Sequence, residues 1–196
     1  MVDRNFLFPR TAVGIVAVGD SGEALLLRAM LESLGASVRL YLPGTPEDIL
    51  VCLKQPDSPP PYLIISGHGD ENGLVVGECD PEITRTELKD GSMHADILSG
   101  NIDLRDTVVF STACCTGSQD FAKVFIEGRA HAYIASHGYP DGAATPLFVH
   151  LFFYQLLIRK SSLEDALLSA NMLDGDGELA VAETKKAPFP ALSFSQ

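Results

Sequence analysis

The chain has 196 residues, of which 46% are hydrophobic and 20% are charged, and its formal net charge is −12. This composition is typical of a soluble globular protein with enough chain to bury a core. The negative charge argues against nucleic acid as a partner, because phosphates would be repelled. It is compatible with a basic peptide substrate, and it equally serves solubility.

Nothing in the sequence indicates a membrane segment. The longest apolar stretch, residues 147–158, is too short to span a bilayer, and the first ten residues carry no cleavage signature. The four cysteines have no disulfide-framework spacing, which indicates free thiols in a reducing compartment. These patterns predict a cytoplasmic protein. They do not determine its oligomeric state.

Five apolar runs predict buried strands at residues 12–18, 37–42, 62–66, 107–112 and 132–136. Helical spacing and start signals fall between and after them. The helical spacing is that of Leu26, Met30 and Leu34, and a short helix is predicted at 84–89. The start signals are Thr45-Pro46-Glu47-Asp48, Ser118, Thr145-Pro146 and Ser161-x-x-Glu164. The helix after Thr145 is apolar nearly all round and is therefore expected to be buried. A small hairpin is predicted at 71–77 and a last strand at 178–182.

Strands that alternate with helices predict right-handed βαβ units and a parallel sheet covered on both faces. The predicted fold is an α/β three-layer sandwich with a mostly parallel central sheet in the flavodoxin-like strand order 2-1-3-4-5. We expect a single domain over residues 1–196, with a core at 12–173 and a tail at 174–196. In such sheets, sites form beyond the carboxyl ends of the strands.

Two of these strand ends carry residues that suit nucleophilic catalysis. The strand 62–66 leaves through Gly67-His68-Gly69, and the strand 107–112 leaves through Ala113 to Cys114 and Cys115. A cysteine becomes a good nucleophile only as a thiolate, which needs a base within reach. If the two strands are neighbours, His68 supplies that base to Cys114. The amides of Gly69 and Cys114 could then bind an oxyanion. The alternative is a turn histidine beside a small core cysteine.

The two motifs, Ser66-Gly67-His68-Gly69 and Thr112-Ala113-Cys114-Cys115-Thr116-Gly117, resemble those of the caspase-like cysteine peptidases. That clan includes caspases, metacaspases, legumains, gingipains and the bacterial CHAT proteins, and the second motif is most similar to the CHAT group. The resemblance covers residues 12–160. It implies a caspase-like fold in which His68 is the general acid/base, Cys114 the nucleophile, and the Gly69 and Cys114 amides the oxyanion hole.

Cys115 is the alternative nucleophile. Because side chains alternate along a strand, we expect only one cysteine of the pair to face His68, and the match to the family motif favours Cys114. Cys115 is then expected to pack under the following helix, or alternatively to form an adjacent disulfide with Cys114.

Further polar residues lie near the same predicted edge. His137 follows the fifth strand and is either a loop histidine or part of the substrate cleft. Asp20, Asp70 and Asp141 are candidate substrate-binding acids, because clan members that cut after Arg or Lys place acids in that pocket. Asp20 is the first candidate, although Asp20-x-x-Glu23 also suits a helix N-cap. No metal-ligand spacing or phosphate loop is present, so no metal or cofactor is predicted.

The sequence therefore predicts a hydrolase, a cysteine endopeptidase that uses a Cys–His dyad on peptide or protein substrates, with cleavage after a basic residue as a further expectation. Two alternatives remain open. One is a catalytically inactive caspase-like module that binds a partner protein. The other is a flavodoxin-like small-molecule-binding domain in which both motifs are incidental.

Overall fold

The computed structural model describes residues 10–80, 82–84 and 86–172, together with the backbone of 181–184. Its main sheet has the strand order β2-β1-β3-β7-β8-β9, and the first five of these strands are parallel. They are β1 (Ala12–Val18), β2 (Ser37–Tyr41), β3 (Tyr62–Gly67), β7 (Val108–Ser111) and β8 (Ala132–Ala135). Counted as five parallel strands, this is the predicted order 2-1-3-4-5, and each predicted strand ends within one residue of the observed one.

A last strand, β9 (Val181–Thr184), pairs antiparallel with β8 at the edge of the sheet. It overlaps the predicted strand 178–182 in two residues. The remainder of that prediction lies outside the described residues.

Six helices of the described residues cover the sheet on both faces. They are α1 (Gly22–Ser33), α2 (Pro46–Leu53), α3 (Ala95–Leu98), α4 (Gln119–Glu127), α5 (Ala144–Leu157) and α6 (Leu163–Asn171). Helices α1, α5 and α6 pack with alternate sheet residues such as Ile15 and Ile64. Helices α2, α3 and α4 pack with the residues between them, such as Val16 and Ile65. The result is the predicted three-layer α/β sandwich.

The helix starts follow the sequence signals with one shift. Thr45 caps α2 in a capping box with Asp48, and the Ser118 hydroxyl accepts from the Phe121 amide at the start of α4. The predicted cap at Ser161 is wrong by one residue, because the Ser162 side chain accepts from the Asp165 amide.

The prediction that α5 is buried all round is also wrong. Its inner side packs on the sheet through phenylalanines such as Phe148 and Phe152, which lie 5.8 and 5.5 Å from the Phe110 ring. Its outer side is exposed at Leu147, Tyr154 and Ile158. These residues lie four or seven positions apart and form one stripe, because the sheet covers only one side of the helix.

A small antiparallel sheet lies beyond the carboxyl end of β3. It contains β4 (Gly69–Asp70), β5 (Gly73–Val75) and β6 (Ser92–Met93). Its first two strands form a hairpin over residues 69–75, which begins two residues before the predicted range 71–77. The short helix predicted at 84–89 is wrong for the described residues there. Thr84 and Thr86 instead donate hydrogen bonds to the Glu47 carboxylate, and the described backbone there has no helical residue. Within the described part of the chain, no helix is long and apolar enough to cross a membrane.

Candidate active site

The site forms where the parallel strands β1, β3, β7 and β8 end at the same edge of the sheet. Ile65 of β3 pairs with Ser111 of β7, and the Thr112 amide donates to the Ile65 carbonyl at 2.9 Å. Three residues beyond this last pair come His68 on one chain segment and Cys114 on the other. The two strands β3 and β7 are therefore neighbours in the sheet, as predicted.

The segments remain in contact beyond the strands. A Cβ atom built on Gly69 would lie 3.0 Å from the Cys114 amide nitrogen and would overlap the Cys114 carbonyl oxygen. A Cβ on Gly67 would likewise overlap the carbonyl oxygen of Val18, at the end of β1. Only glycine allows both close approaches. His68, between the two glycines, is exposed, while Cys114 is half-buried.

Hydrogen bonds to Thr116 fix the loop that carries Cys114. The Thr116 hydroxyl donates to the Ala113 carbonyl at 2.8 Å and lies 2.9 Å from the Ser111 hydroxyl. The Thr116 carbonyl accepts a bond from the buried Tyr133 hydroxyl at 3.0 Å. The Tyr133 ring stacks on Phe125 with a centroid separation of 4.5 Å. Buried bonds of this kind hold the loop in one conformation.

The same loop is bound to the exit of β8. The Gly117 amide donates to the Ser136 carbonyl at 2.7 Å, and the Cys115 amide donates to the Gly138 carbonyl at 2.9 Å. Cys115 has a φ of +59°, and its sulfur lies 3.7 Å from the Gly138 oxygen. Both expectations for Cys115 are therefore corrected. Its thiol faces the β8 loop rather than lying under α4, and Cys114 and Cys115 are free thiols.

The local environment raises the pKa of the Cys114 thiol. Burial is the main cause that raises the pKa of this thiol, and the charges of Cys115 and Glu23 raise it further. A hydrogen bond to its own backbone acts in the opposite direction. This environment therefore disfavours the thiolate form of Cys114 in the free chain.

Glu23 lies beside the candidate site, and sequence reasoning treated it only as part of a helix cap. It lies in the first turn of α1, and its Oε1 atom accepts bonds from the Ser66 hydroxyl at 2.8 Å and the Thr112 hydroxyl at 2.5 Å. Ser66 precedes His68 by two residues, and Thr112 precedes Cys114 by two residues. Side-chain alternation could have placed Ser66 and Thr112 on the α1 face of the sheet, but not the helix residue that meets them.

All three candidate acids hold local turns. Asp70 accepts bonds from the Asn72 and Gly73 amides and from the Ser92 hydroxyl, and so binds the hairpin to β6. Asp141 accepts from the Ala143 amide just before α5. Asp20 is exposed at the end of β1, and its Oδ1 accepts from the Gly22 amide at 2.9 Å. Asp20 therefore forms a local turn at the start of α1, where Ser21 occupies the N-cap position.

The exit of β8 contributes His137, which is exposed, and Tyr139, which sequence reasoning did not single out. The Tyr139 hydroxyl hydrogen-bonds the Glu71 carboxylate and also the Cys115 thiol. The first of these bonds lowers the pKa of Glu71 and raises the pKa of Tyr139. Tyr139 thus connects the β4–β5 hairpin to the cysteine loop, beside Cys114.

The fold resembles those of solved cysteine peptidases. The chain superposes on the Arg-specific cysteine proteinase gingipain R with a TM-score of 0.57 and 15% identity, over 90% of this chain and 46% of that one. A complex of the pro- and mature domains of RgpB from Porphyromonas gingivalis gives 0.56 and 15%, over 94% and 51%. A secreted C11 cysteine protease from Bacteroides thetaiotaomicron gives 0.50 and 10%, over 84% and 59%.

These likenesses show the fold alone, an α/β fold that the chain shares with these solved structures. This chain spans 46% and 51% of the two gingipain chains, so it corresponds to about half of their length. No protein-family model and no curated protein sequence matches the chain.

Proposed function

We propose that the chain is a cysteine endopeptidase in which Cys114 is the nucleophile and His68 the general acid/base. The observation that carries the proposal is the contact between Gly69 and the Cys114 peptide at the carboxyl edge of a caspase-like sheet. This contact brings the segment that contains His68 alongside the segment that contains Cys114. The second support is the fold of two solved neighbours, gingipain R and a C11 protease, which are both described as cysteine proteases.

In the proposed reaction, His68 takes the Cys114 proton as the sulfur attacks the carbonyl carbon of the peptide bond. The carbonyl oxygen becomes an oxyanion, which the amides of Gly69 and Cys114 stabilise. The C–N bond breaks, His68 gives its proton to the leaving amine, and a thioester remains on Cys114. His68 then removes a proton from water, whose oxygen attacks the thioester carbon. The C–S bond breaks, the carboxylic acid product leaves, and His68 returns the proton to the Cys114 sulfur.

We also propose that the substrate carries a basic residue on the acyl side of the cut bond. The net charge of −12 favours basic peptides, and one neighbour is described as Arg-specific. The proposal predicts faster turnover of peptide reporters that end in Arg or Lys than of those that end in Asp. The reverse order would contradict it.

An inactive module that binds a partner protein is the second candidate. The specific observation in its favour is the raised pKa of Cys114, because a catalytic thiol is more often held near its thiolate form. If the chain is such a partner-binding module, wild type and Cys114→Ala should give the same result in every peptide assay.

The test is an unbiased peptide-library cleavage assay on wild type, Cys114→Ala, His68→Ala and Cys115→Ala. We expect cleavage by wild type and by Cys115→Ala, with a loss of at least about 100-fold in the other two variants, as for removal of a general base or nucleophile. Cys115→Ala is the matched control, since it removes the adjacent thiol. Cleavage that is lost in Cys115→Ala but not in Cys114→Ala would reject the assignment. So would cleavage that persists in Cys114→Ala and in Cys115→Ala alike.

A further inference from the structure

The strand β2 forms one edge of the main sheet, where it pairs with β1 alone among the described strands. The Ser37 amide donates to the Thr11 carbonyl at 2.9 Å, so the backbone groups of Ser37 point at β1. Because backbone groups alternate in direction along a strand, those of Arg39 also point at β1, whereas those of Val38 and Leu40 point away from it. The outer side of β2 therefore presents N–H and C=O groups with which a further strand can pair.

The two faces of β2 differ in character. Val38 and Leu40 are half-buried on the face covered by α1, α5 and α6, where they pack against the core. Because side chains alternate, Arg39 lies on the opposite face together with Tyr41, and Arg39 is exposed. A strand added at this edge would thus lie beside apolar side chains on one face and beside a cation on the other.

A cavity of about 430 Å³ lies beside β2 on the face of Arg39. Its walls include Arg39 and Tyr41 together with the proline-rich segment 58–61. The Tyr41 hydroxyl donates to the Gln55 side chain at 3.2 Å, which fixes the position of this wall. Of the described residues that line the cavity, Arg39 is the charged one, and it takes part in no ion pair of the described part of the chain. The cavity is therefore a local positive site on a chain whose net charge is −12.

A second copy of this chain is a poor match for the edge. Two β2 strands paired antiparallel about their centre would place two Arg39 side chains opposite each other, and like charges directly opposite destabilise a pair of strands. A strand with a carboxylate at that position is the complementary match. Since the net charge of −12 repels strongly acidic peptides, one carboxylate between apolar residues fits better than a run of acids.

We propose that the outer edge of β2 binds an extended segment of a partner protein as an additional strand, with an acidic side chain of that segment at Arg39 and apolar side chains beside Val38 and Leu40. In this mode, main-chain hydrogen bonds supply affinity and side-chain contacts supply selectivity. The cavity lies at the amino ends of β1 and β2, whereas the candidate active site lies at the carboxyl ends. The inference is therefore independent of the proposed peptidase function.

The first experiment measures binding of a fluorescein-labelled peptide, Thr-Val-Glu-Val-Thr, by fluorescence anisotropy. The peptide has no basic residue, so the proposed peptidase is not expected to cut it. Replacement of its Glu by Gln should weaken binding to wild type about 2- to 5-fold, the value of an exposed ion pair. In Arg39→Gln the two peptides should bind equally. Arg28→Gln, an exposed arginine that pairs with Glu32 on α1, is the matched control and should keep the difference.

An equal preference for the Glu peptide in wild type and in Arg39→Gln would overturn the proposal, because the carboxylate would then be bound elsewhere. The absence of any binding to wild type would overturn it as well.

The second experiment tests the pairing of the strands through the peptide alone, so that no protein variant needs to fold. An N-methyl group on alternate peptide residues removes either the N–H groups that point at β2 or those that point away from it. One of the two methylated peptides should bind at least about 10-fold more weakly than the parent, and the other should stay within about 3-fold of it. Equal effects of the two methylation patterns would rule out binding as a strand.

The third experiment uses amide hydrogen exchange, measured by NMR, to find the edge that is bound. In the free chain, the amides of Val38 and Leu40 should exchange faster than those of Arg39 and Tyr41, which point at β1. Saturating peptide should slow exchange at Val38 and Leu40 at least about 10-fold. Slowing at β9 instead would assign the peptide to the other edge and overturn the proposal. Slowing at β2 that rises with protein concentration in the absence of peptide would show that a second copy is the occupant, which would also overturn it.

Discussion

Gly69 lies directly against the peptide of Cys114, so closely that a Cβ atom on Gly69 would overlap the Cys114 carbonyl oxygen. The neighbouring backbone contact between Gly67 and Val18 joins the same segment to the end of β1. Three strand exits are therefore packed backbone to backbone at one edge of the sheet. The geometry of the proposed site depends on the absence of side chains at these two positions.

The Gly69→Ala substitution tests this packing. Because the added methyl group has no space, we expect the Cys114 loop to shift and the free energy of unfolding to fall by about 1–3 kcal/mol. Chemical denaturation measures the loss. Gly142→Ala is the matched control, since a Cβ at Gly142 meets nothing within 4 Å, and its effect should stay within about 0.5 kcal/mol. Equal effects of the two substitutions would show that the contact is not tight.

The bond from Tyr133 to the Cys114 loop gives a second prediction. Tyr133→Phe removes the hydroxyl that donates to the Thr116 carbonyl and leaves that oxygen without its buried donor. We expect a loss of about 1–3 kcal/mol in the free energy of unfolding, measured by denaturant titration. Tyr154→Phe, at a residue that is 37% exposed, is the control and should have almost no effect. No loss in Tyr133→Phe would mean that water replaces the hydroxyl.

The sequence prediction and the structure assign the N-cap of α6 to different residues, Ser161 and Ser162. Ser162→Ala removes the side chain that accepts from the Asp165 amide and should cost about 1 kcal/mol of stability. Ser161→Ala should cost less, because the Ser161 hydroxyl makes only a 3.3 Å bond to Gln155. Thermal unfolding of the two variants decides between them. A larger loss in Ser161→Ala would restore the cap expected from sequence.

The ionisation of Cys114 gives a prediction about pH. Since the pKa of this thiol is raised in the folded chain, iodoacetamide should alkylate it with a pH midpoint above that of the urea-unfolded chain, where the value is about 8.5. Glu23→Gln should lower the folded midpoint, because it removes one of the repelling charges. A folded midpoint below the unfolded one would contradict both statements.

The same shift has a consequence for stability. A raised folded pKa means that the native state holds its proton more firmly than the unfolded state. The stabilisation that arises from this raised pKa is fully present below about pH 8.5 and is lost as the pH rises towards the folded pKa. Relative to Cys114→Ala, the wild-type chain should therefore lose unfolding free energy above that pH. Parallel stability curves for the two chains would argue against a raised pKa.

Much of the fold could be predicted because its strands are short, apolar and bounded by glycine or polar residues. The runs at 12–18 and 62–66 correspond to β1 and β3, and parallel topology then puts their exits on one edge. The predictions that failed depend on tertiary contacts. Thr84 and Thr86 bind Glu47, a residue far away in sequence, so local propensity for a helix does not prevail there.

Sequence reasoning could place only those candidate site residues that directly follow a strand. His68 and Cys114 follow two strands, but Glu23 lies on a helix and meets Ser66 and Thr112 across separations of 43 and 89 residues. Tyr139 lies in a loop, and its bonds to Glu71 and Cys115 depend on how two loops meet. No periodicity in the sequence records such contacts.

The most direct measurement of the central claim is labelling by a peptide that ends in an electrophilic arginine ketone, followed by peptide mapping in the mass spectrometer. The account predicts an adduct on Cys114, absent from Cys115 and from the other cysteines, and slowed at least about 100-fold in His68→Ala. Labelling that is equal among the four cysteines, or that is unchanged in His68→Ala, would contradict it.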